Sequence, residues 1–174
     1  IVNTSSINGF WASLGGTPHT SYSAAKFAVK GFSEALIDDL RVNAPHVNVS
    51  VVMPGHIGTS IAENTGKILG GKRTEEDLEK IKENMIKMGL PVHNFSPEQI
   101  EQQIKDNAKA FKNNAPTTSE QAAEIILSAV KRKEWRILVG DDAKAIDEWV
   151  RGAPEDAYNI SFNGERRENI DENV

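Results

Sequence analysis

The stretch YSAAKFAVKGFSEAL, residues 22–36, decides the fold. Ala24, Phe27, Ala28, Gly31, Phe32, Ala35 and Leu36 recur at spacings of three and four, and Leu40 continues the series. Such spacing is one face of a helix, with Glu34, Asp38 and Asp39 elsewhere on its circumference. The pattern predicts a well-buried helix from Tyr22 to about Arg41, ended by Pro45. It also sets Tyr22 and Lys26 four residues apart on one face, at the helix entry.

On either side of this helix the period changes to that of strands. IVNTSS (1–6) opens on β-branched residues and closes on turn formers, and VNVSVVMPG (47–55) runs apolar up to Pro54 and Gly55. Strand, helix, strand in this order is a parallel crossover, and ligands of such sheets sit beyond the carboxyl ends of the strands. That rim holds Ser5 and Ser6 after the first strand and PGHIGTS (54–60) after the second; the loop before Tyr22 must fold back to bring the tyrosine there.

Residues 61–117 are rich in Lys, Glu, Asn and Gln. Thr74 caps a helix striped by Leu78, Ile81, Met85 and Met88, stopped at Gly89 and Pro91. Ser96, Pro97 and Gln99 open another, striped by Ile100, Ile104 and Phe111. This is a helical insertion, read either as two amphipathic helices packed on the body or as a mobile substrate lid. The sheet pattern then resumes: Thr117 and Glu120 have capping-box spacing, Ala122, Ile126, Ala129 and Val130 form a buried face, and WRILVG (135–140) is a strand. A further helix covers about Ala143 to Val150, and the polar end from Asn163 is expected to be disordered. The divisions are therefore 1–60, 61–117 and 118–174.

Composition excludes several classes. A net charge of -5 offers no field for nucleic acid, no apolar run is long enough to span a bilayer, and the absence of cysteine rules out disulfides and thiolate sites while suiting a cytoplasmic location. His19, His46, His56 and His93 lack metal-ligand spacing, so no metal is expected, and Ser6 lacks the elbow motif of a hydrolase nucleophile. The chain begins inside an apolar strand at Ile1, as though cut from a larger protein.

The chemistry lies in the pair and its neighbours. A phenol beside an ammonium can exchange a proton with a carbonyl or alcohol oxygen, and a serine hydroxyl can hold that same oxygen. IVNTSSINGF, YSAAKFAVKGFSEAL and VVMPGHIGT follow one another as in the short-chain dehydrogenases/reductases, and residues 1–60 resemble the second half of that family. The resemblance implies a Rossmann-like, doubly wound α/β sheet and an NAD- or NADP-dependent oxidoreductase interconverting an alcohol and a carbonyl. It implies Tyr22 as acid/base, Lys26 as the cation that favours its ionised form and holds the nicotinamide ribose, and Ser6 as the residue orienting the substrate oxygen. Pro54, Gly55, the Ile57 backbone and Thr59 would line the nicotinamide end.

Two departures from the family stand out. The interval from Ser6 to Tyr22 is long, which leaves Ser13 a rival for the serine role and Ser5 a lesser one. No Gly-rich strand-to-helix turn is present to grip a pyrophosphate. The expected partners are therefore a small alcohol or carbonyl compound, the N-terminal half of the same protein and further copies in a homo-oligomer. A piece that is catalytically incomplete and serves only for oligomerisation or interaction is the alternative. Phe10, Trp11, Leu14, His56, Met85, Met88 and Phe95 are candidates for an apolar substrate wall.

Overall fold

A computed structural model of the chain describes residues 1–12, 19–69 and 73–158. In order, the elements are β1 (Val2–Thr4), α1 (Thr20–Asn43), β2 (Ser50–Pro54), β3 (Ile57–Gly58), α2 (Ile61–Leu69), α3 (Glu75–Lys87), α4 (Pro97–Asn113), β4 (Thr117–Thr118), α5 (Ser119–Lys131), β5 (Arg136–Val139) and α6 (Asp141–Gly152). They divide into two compact units, one of residues 1–57 and 119–174 and the other of residues 58–118.

The first unit is built on a parallel sheet in the order β1-β2-β5. Register places Thr4 beside Val52, and Val52 beside Ile137. Because side chains alternate across a strand, neighbouring β5 residues face opposite layers. Ile137 and Val139 join Val52 against Ala122 and Ala129 of α5, while Leu138 packs with Ala143 and Ile146 of α6. Helices thus cover both faces, which makes this the Rossmann-like, doubly wound α/β arrangement expected from the sequence.

The long helix α1 corrects one expectation. It begins two residues before Tyr22 and ends at Asn43, but its apolar stripe is not the buried face. Phe27 is 42% exposed and Phe32 62%, whereas the fully buried residues are Ser23 and Ser33. Serine is small enough to let the helix backbone approach β1, and Ser33 accepts a bond from Asn3 Nδ2 at 3.1 Å while donating to the Val29 carbonyl at 2.7 Å. The inward face is therefore narrow and hydrogen-bonded, and the phenylalanines point away.

A second correction concerns the apolar wall. Trp11 is completely buried in the core with Ile7, Ala143, Ile146 and Ala157, its ring edge-on to Trp149 at 5.4 Å and its Nε1 donating to the Ala157 carbonyl at 2.7 Å. Phe10 packs on the same cluster. Met85 and Phe95 belong to the core of the second unit, which leaves Met88 exposed and His56 half-buried, with Leu14 outside the described residues.

In the second unit Leu78, Met85, Val92 and Ile100 form the core between α3 and α4. Both helices open with reciprocal capping boxes, Thr74 with Asp77 and Ser96 with Gln99. At the end of α3 the Gly89 amide bonds to Ile86 and the Leu90 amide to Met85, and Gly89 has a φ of 80°. That is the glycine stop expected there. The capping-box expectation for Thr117 fails, because the chain is still extended at Thr117 and Thr118 and α5 starts only at Ser119. The polar end from Asn163 lies outside the described residues, and no described helix is long and apolar enough to cross a membrane.

One buried ion pair ties β5 to α6. Arg136 grips Asp147 through both guanidinium nitrogens, one bond being 2.8 Å, and lies over the Phe10 ring with its guanidinium carbon 5.7 Å from the centroid. The Arg136 bonds hold the Asp147 carboxyl below its ordinary value of 3.8 against the opposing effect of burial. A depressed carboxylate stabilises fully above its unfolded value and loses that contribution as the pH falls through the folded one. Asp147→Ala should cost about 3 kcal/mol near neutrality. Denaturant titration at pH 7 and again near pH 3 should show the gap between variant and original narrowing in acid.

Candidate active site

The site grows from the carboxyl end of β1. Beyond Thr4 the strand ladder persists for one more bond, from the Ser5 amide to the Val52 carbonyl at 2.8 Å, and the chain then turns sharply through a 3-10 turn at Ile7–Gly9. Ser6 caps that turn. Its hydroxyl accepts from the Asn8 amide at 3.2 Å and donates to Asn8 Oδ1 at 3.4 Å, and Asn8 Nδ2 in turn donates to the Trp11 carbonyl at 3.2 Å. Ser5 does something different: its hydroxyl donates to the Lys26 carbonyl at 2.7 Å, tying the strand end to α1. Ser13 lies outside the described residues.

α1 is held against this turn by a second bond, from Lys26 Nζ to the Thr4 carbonyl at 3.2 Å. One turn earlier on the helix stands Tyr22, 42% exposed, with Lys26 Nζ 5.5 Å from its ring centroid. The ring of His19, the residue preceding α1, stands edge-on to that of Tyr22 with 6.4 Å between centroids. The Tyr22 hydroxyl makes no hydrogen bond among the described residues, and Lys26 has two of its three N–H groups left after the bond to Thr4. Tyr22, Lys26 and the Ser5–Ser6 turn are thus brought to the carboxyl edge of the sheet.

β2 delivers its turn to the same edge. Pro54 pairs with Val139, the Gly55 amide continues the ladder to the Val139 carbonyl at 3.0 Å, and Ile57 is half-buried against the cluster containing Val52 and Ala122. Thr59 belongs to the second unit, where it lines a groove of about 490 Å³ with Ser60, Ile61, Asn64, Thr65 and Ile68. A larger groove of about 590 Å³ in the first unit lies among Glu34, Arg41, Val49 and Trp135. Twelve residues of helix, about 18 Å, separate Tyr22 from its nearest lining residue on α1, so it is remote from the site.

Three polar residues at this edge escaped the sequence reading. Asn8 is 1% exposed and holds the Ser6 hydroxyl. Ser23 follows Tyr22 and is buried with its hydroxyl unpartnered among the described residues. Asp142, in the first turn of α6, accepts from the His56 amide at 2.7 Å. Only Asn8, two residues after Ser6 in a turn-forming stretch, carried a local signal.

Residues 1–69 match the short chain dehydrogenase family model. The "Putative oxidoreductase SadH" of Mycobacterium tuberculosis is 34% identical over 151 residues, covering 87% of this chain and 43% of that protein. The 3-ketodihydrosphingosine reductase of Bacteroides thetaiotaomicron is 45% identical over 65 residues, 37% of this chain and 22% of that one. A crystal structure of a short chain dehydrogenase/reductase from Burkholderia phymatum in complex with NAD shares the fold, with a TM-score of 0.57 at 20% identity over 99% of this chain and 51% of that one. The chain belongs to the short-chain dehydrogenase/reductase family. It spans less than half the length of these curated relatives.

The approach of the turn to α1 leaves no space at Gly9. A Cβ there would stand 2.9 Å from the Lys26 carbonyl oxygen and overlap the Ser5 hydroxyl. Gly9→Ala should therefore push the turn off α1 and lower stability by about 1–3 kcal/mol, measurable by thermal or denaturant unfolding. Ser5→Ala in the same background should recover part of the loss, because one of the two overlapping atoms is gone.

Proposed function

We propose that the protein carrying this chain is a nicotinamide-dependent oxidoreductase that interconverts an alcohol and a carbonyl, with Tyr22 as the acid/base. The observation that carries the reading is the Lys26 ammonium poised over the exposed Tyr22 ring, fixed there by its bond to Thr4. On this reading the phenol gives a proton to a carbonyl oxygen or takes one from an alcohol, with the Lys26 ammonium beside it. Ser6 has a hydroxyl already oriented by Asn8, whereas the Ser5 hydroxyl is committed to α1; this supports Ser6 as the residue that holds the substrate oxygen.

The residues present fit one end of the cofactor, NAD or NADP. Two remaining N–H groups of Lys26 suit a ribose diol, and the turn from Pro54 to Ile57 suits a carboxamide. When bound, the nicotinamide ring would supply or accept the hydride. The NAD complex of the Burkholderia phymatum protein supports this class of cofactor. What the chain itself does is place the proton, orient the oxygen and hold the ribose. The sequence has no element for the pyrophosphate, so that grip belongs to other residues.

The exposed stripe of α1 supports a second, compatible reading. Ala24, Phe27, Ala28, Gly31, Phe32 and Ala35 are all exposed on one face, the composition of a close helix contact, and this favours assembly into a homo-oligomer.

The two readings separate experimentally. Tyr22→Phe in the full-length protein should lower kcat at least about a hundredfold in carbonyl reduction followed by cofactor absorbance, with sedimentation unchanged. Phe32→Glu should shift the sedimentation boundary to a smaller species. Undiminished turnover in Tyr22→Phe removes the tyrosine from the chemistry and leaves the interaction reading.

A further inference from the structure

We propose that Asp142 is a positioning residue that fixes the Gly55–His56 turn, and through it the nicotinamide end of the site; this rests on the oxidoreductase reading above. The carboxylate comes from the first turn of α6, eighty-six residues further along the chain than the amide it binds. Its Oδ2 accepts from the His56 amide at 2.7 Å. Its other oxygen, Oδ1, is buried with no hydrogen-bond partner among the described residues.

Two features make this more than one hydrogen bond. First, a Cβ built on Gly55 would overlap Cγ, Oδ1 and Oδ2 of Asp142 together, so the flat carboxylate lies directly over the Gly55 backbone. Any side chain at position 55 evicts the carboxylate, and evicting it breaks the His56 bond. Gly55 and Asp142 therefore operate as a single lock. Second, a buried carboxylate oxygen without a partner is costly, and a charged acceptor is normally placed where its lone pairs are met. Here one oxygen is unmet among the described residues while the other holds His56. Proline at 54 contributes no N–H, and the Gly55 amide is taken by Val139, so the His56 amide is the first after the strand that needs a partner from outside the sheet.

The consequence is specific. A turn held from β2 alone would swing about Gly55, the residue with the widest backbone freedom. Held also from α6, it presents the backbone of residues 55–57 in one arrangement. A ligand meeting that backbone then forgoes the ordering cost of the loop.

The test compares Asp142→Ala, Gly55→Ala, the double variant and Asp142→Asn in the full-length protein. Dissociation constants for NADH and NADPH are read by nicotinamide fluorescence, and the His56 amide is followed by its ¹H–¹⁵N resonance. Asp142→Ala and Gly55→Ala should each weaken binding of the dinucleotide about tenfold and move the His56 resonance. The double variant should be no weaker than the weaker single, and Asp142→Asn, which keeps an acceptor, should stay within about twofold of the original. Additive losses, an unmoved His56 resonance in Asp142→Ala, or a fall in melting temperature with unchanged affinity would each overturn the proposal. If the unaltered protein binds neither dinucleotide, the oxidoreductase reading falls by itself. The lock is then decided by the His56 resonance and by whether the melting-temperature losses of the two single variants fail to add.

Discussion

The bond from the Ser5 hydroxyl to the Lys26 carbonyl sets the distance on which the candidate site depends. A helix can lie that close to a strand end only where no side chain intervenes, and the inward surface supplies Gly9, Ser23 and Ser33 at the points of approach. Lys26 adds the reverse tie, its ammonium reaching back to the Thr4 carbonyl. With strand end and helix stapled in both directions, the helix turn that carries Tyr22 is held beside the end of β1. The electrostatic relation between Tyr22 and Lys26 is thus a by-product of backbone packing, not of the pair's own attraction, which at a half-exposed site is weak.

The same constraint explains why the apolar pattern of α1 misleads. A period of three and four shows which residues share a face, but not which way the face points. Here the buried side is polar because a close approach needs small residues, and small residues that can bond a carbonyl are serines. Phe27 and Phe32 are therefore left on the far side. The helix was legible from its spacing, and its extent nearly so; its orientation required β1, whose contacts with Ser33 and Lys26 lie about twenty to thirty residues away in sequence.

Locally encoded features were readable throughout. The caps at Thr74 and Ser96, the Gly89 stop and the parallel strands around VVMPG follow from side chains within a few residues of one another. Helix spacing and a strand end made Tyr22, Lys26 and Ser6 candidates, but their proposed roles came from the resemblance of residues 1–60 to the short-chain dehydrogenases/reductases. Trp11 was misassigned because its partner, the Ala157 carbonyl, lies 146 residues on, and an isolated indole in a loop gives no hint of that. Asp142 was missed on the same ground, as an acidic residue at a helix start satisfies the dipole without further explanation. Thr117 failed for a subtler reason: threonine favours both strands and caps, and the strand won.

On the proposed reading, proton handling and cofactor grip fall to different residues. On that reading, the residues at the carboxyl edge of β1 and β2 meet an oxygen atom, a ribose and a carboxamide, none of them multiply charged. A pyrophosphate requires several backbone amides converging at a helix start, and no glycine-rich turn of that kind exists in the sequence. Phosphate grip and placement of the reactive end would then come from different residues, both of which count toward affinity for the dinucleotide. Substitutions at Lys26 or Asp142 would then change affinity through the nicotinamide end, and substitution at Tyr22 would change the chemical step.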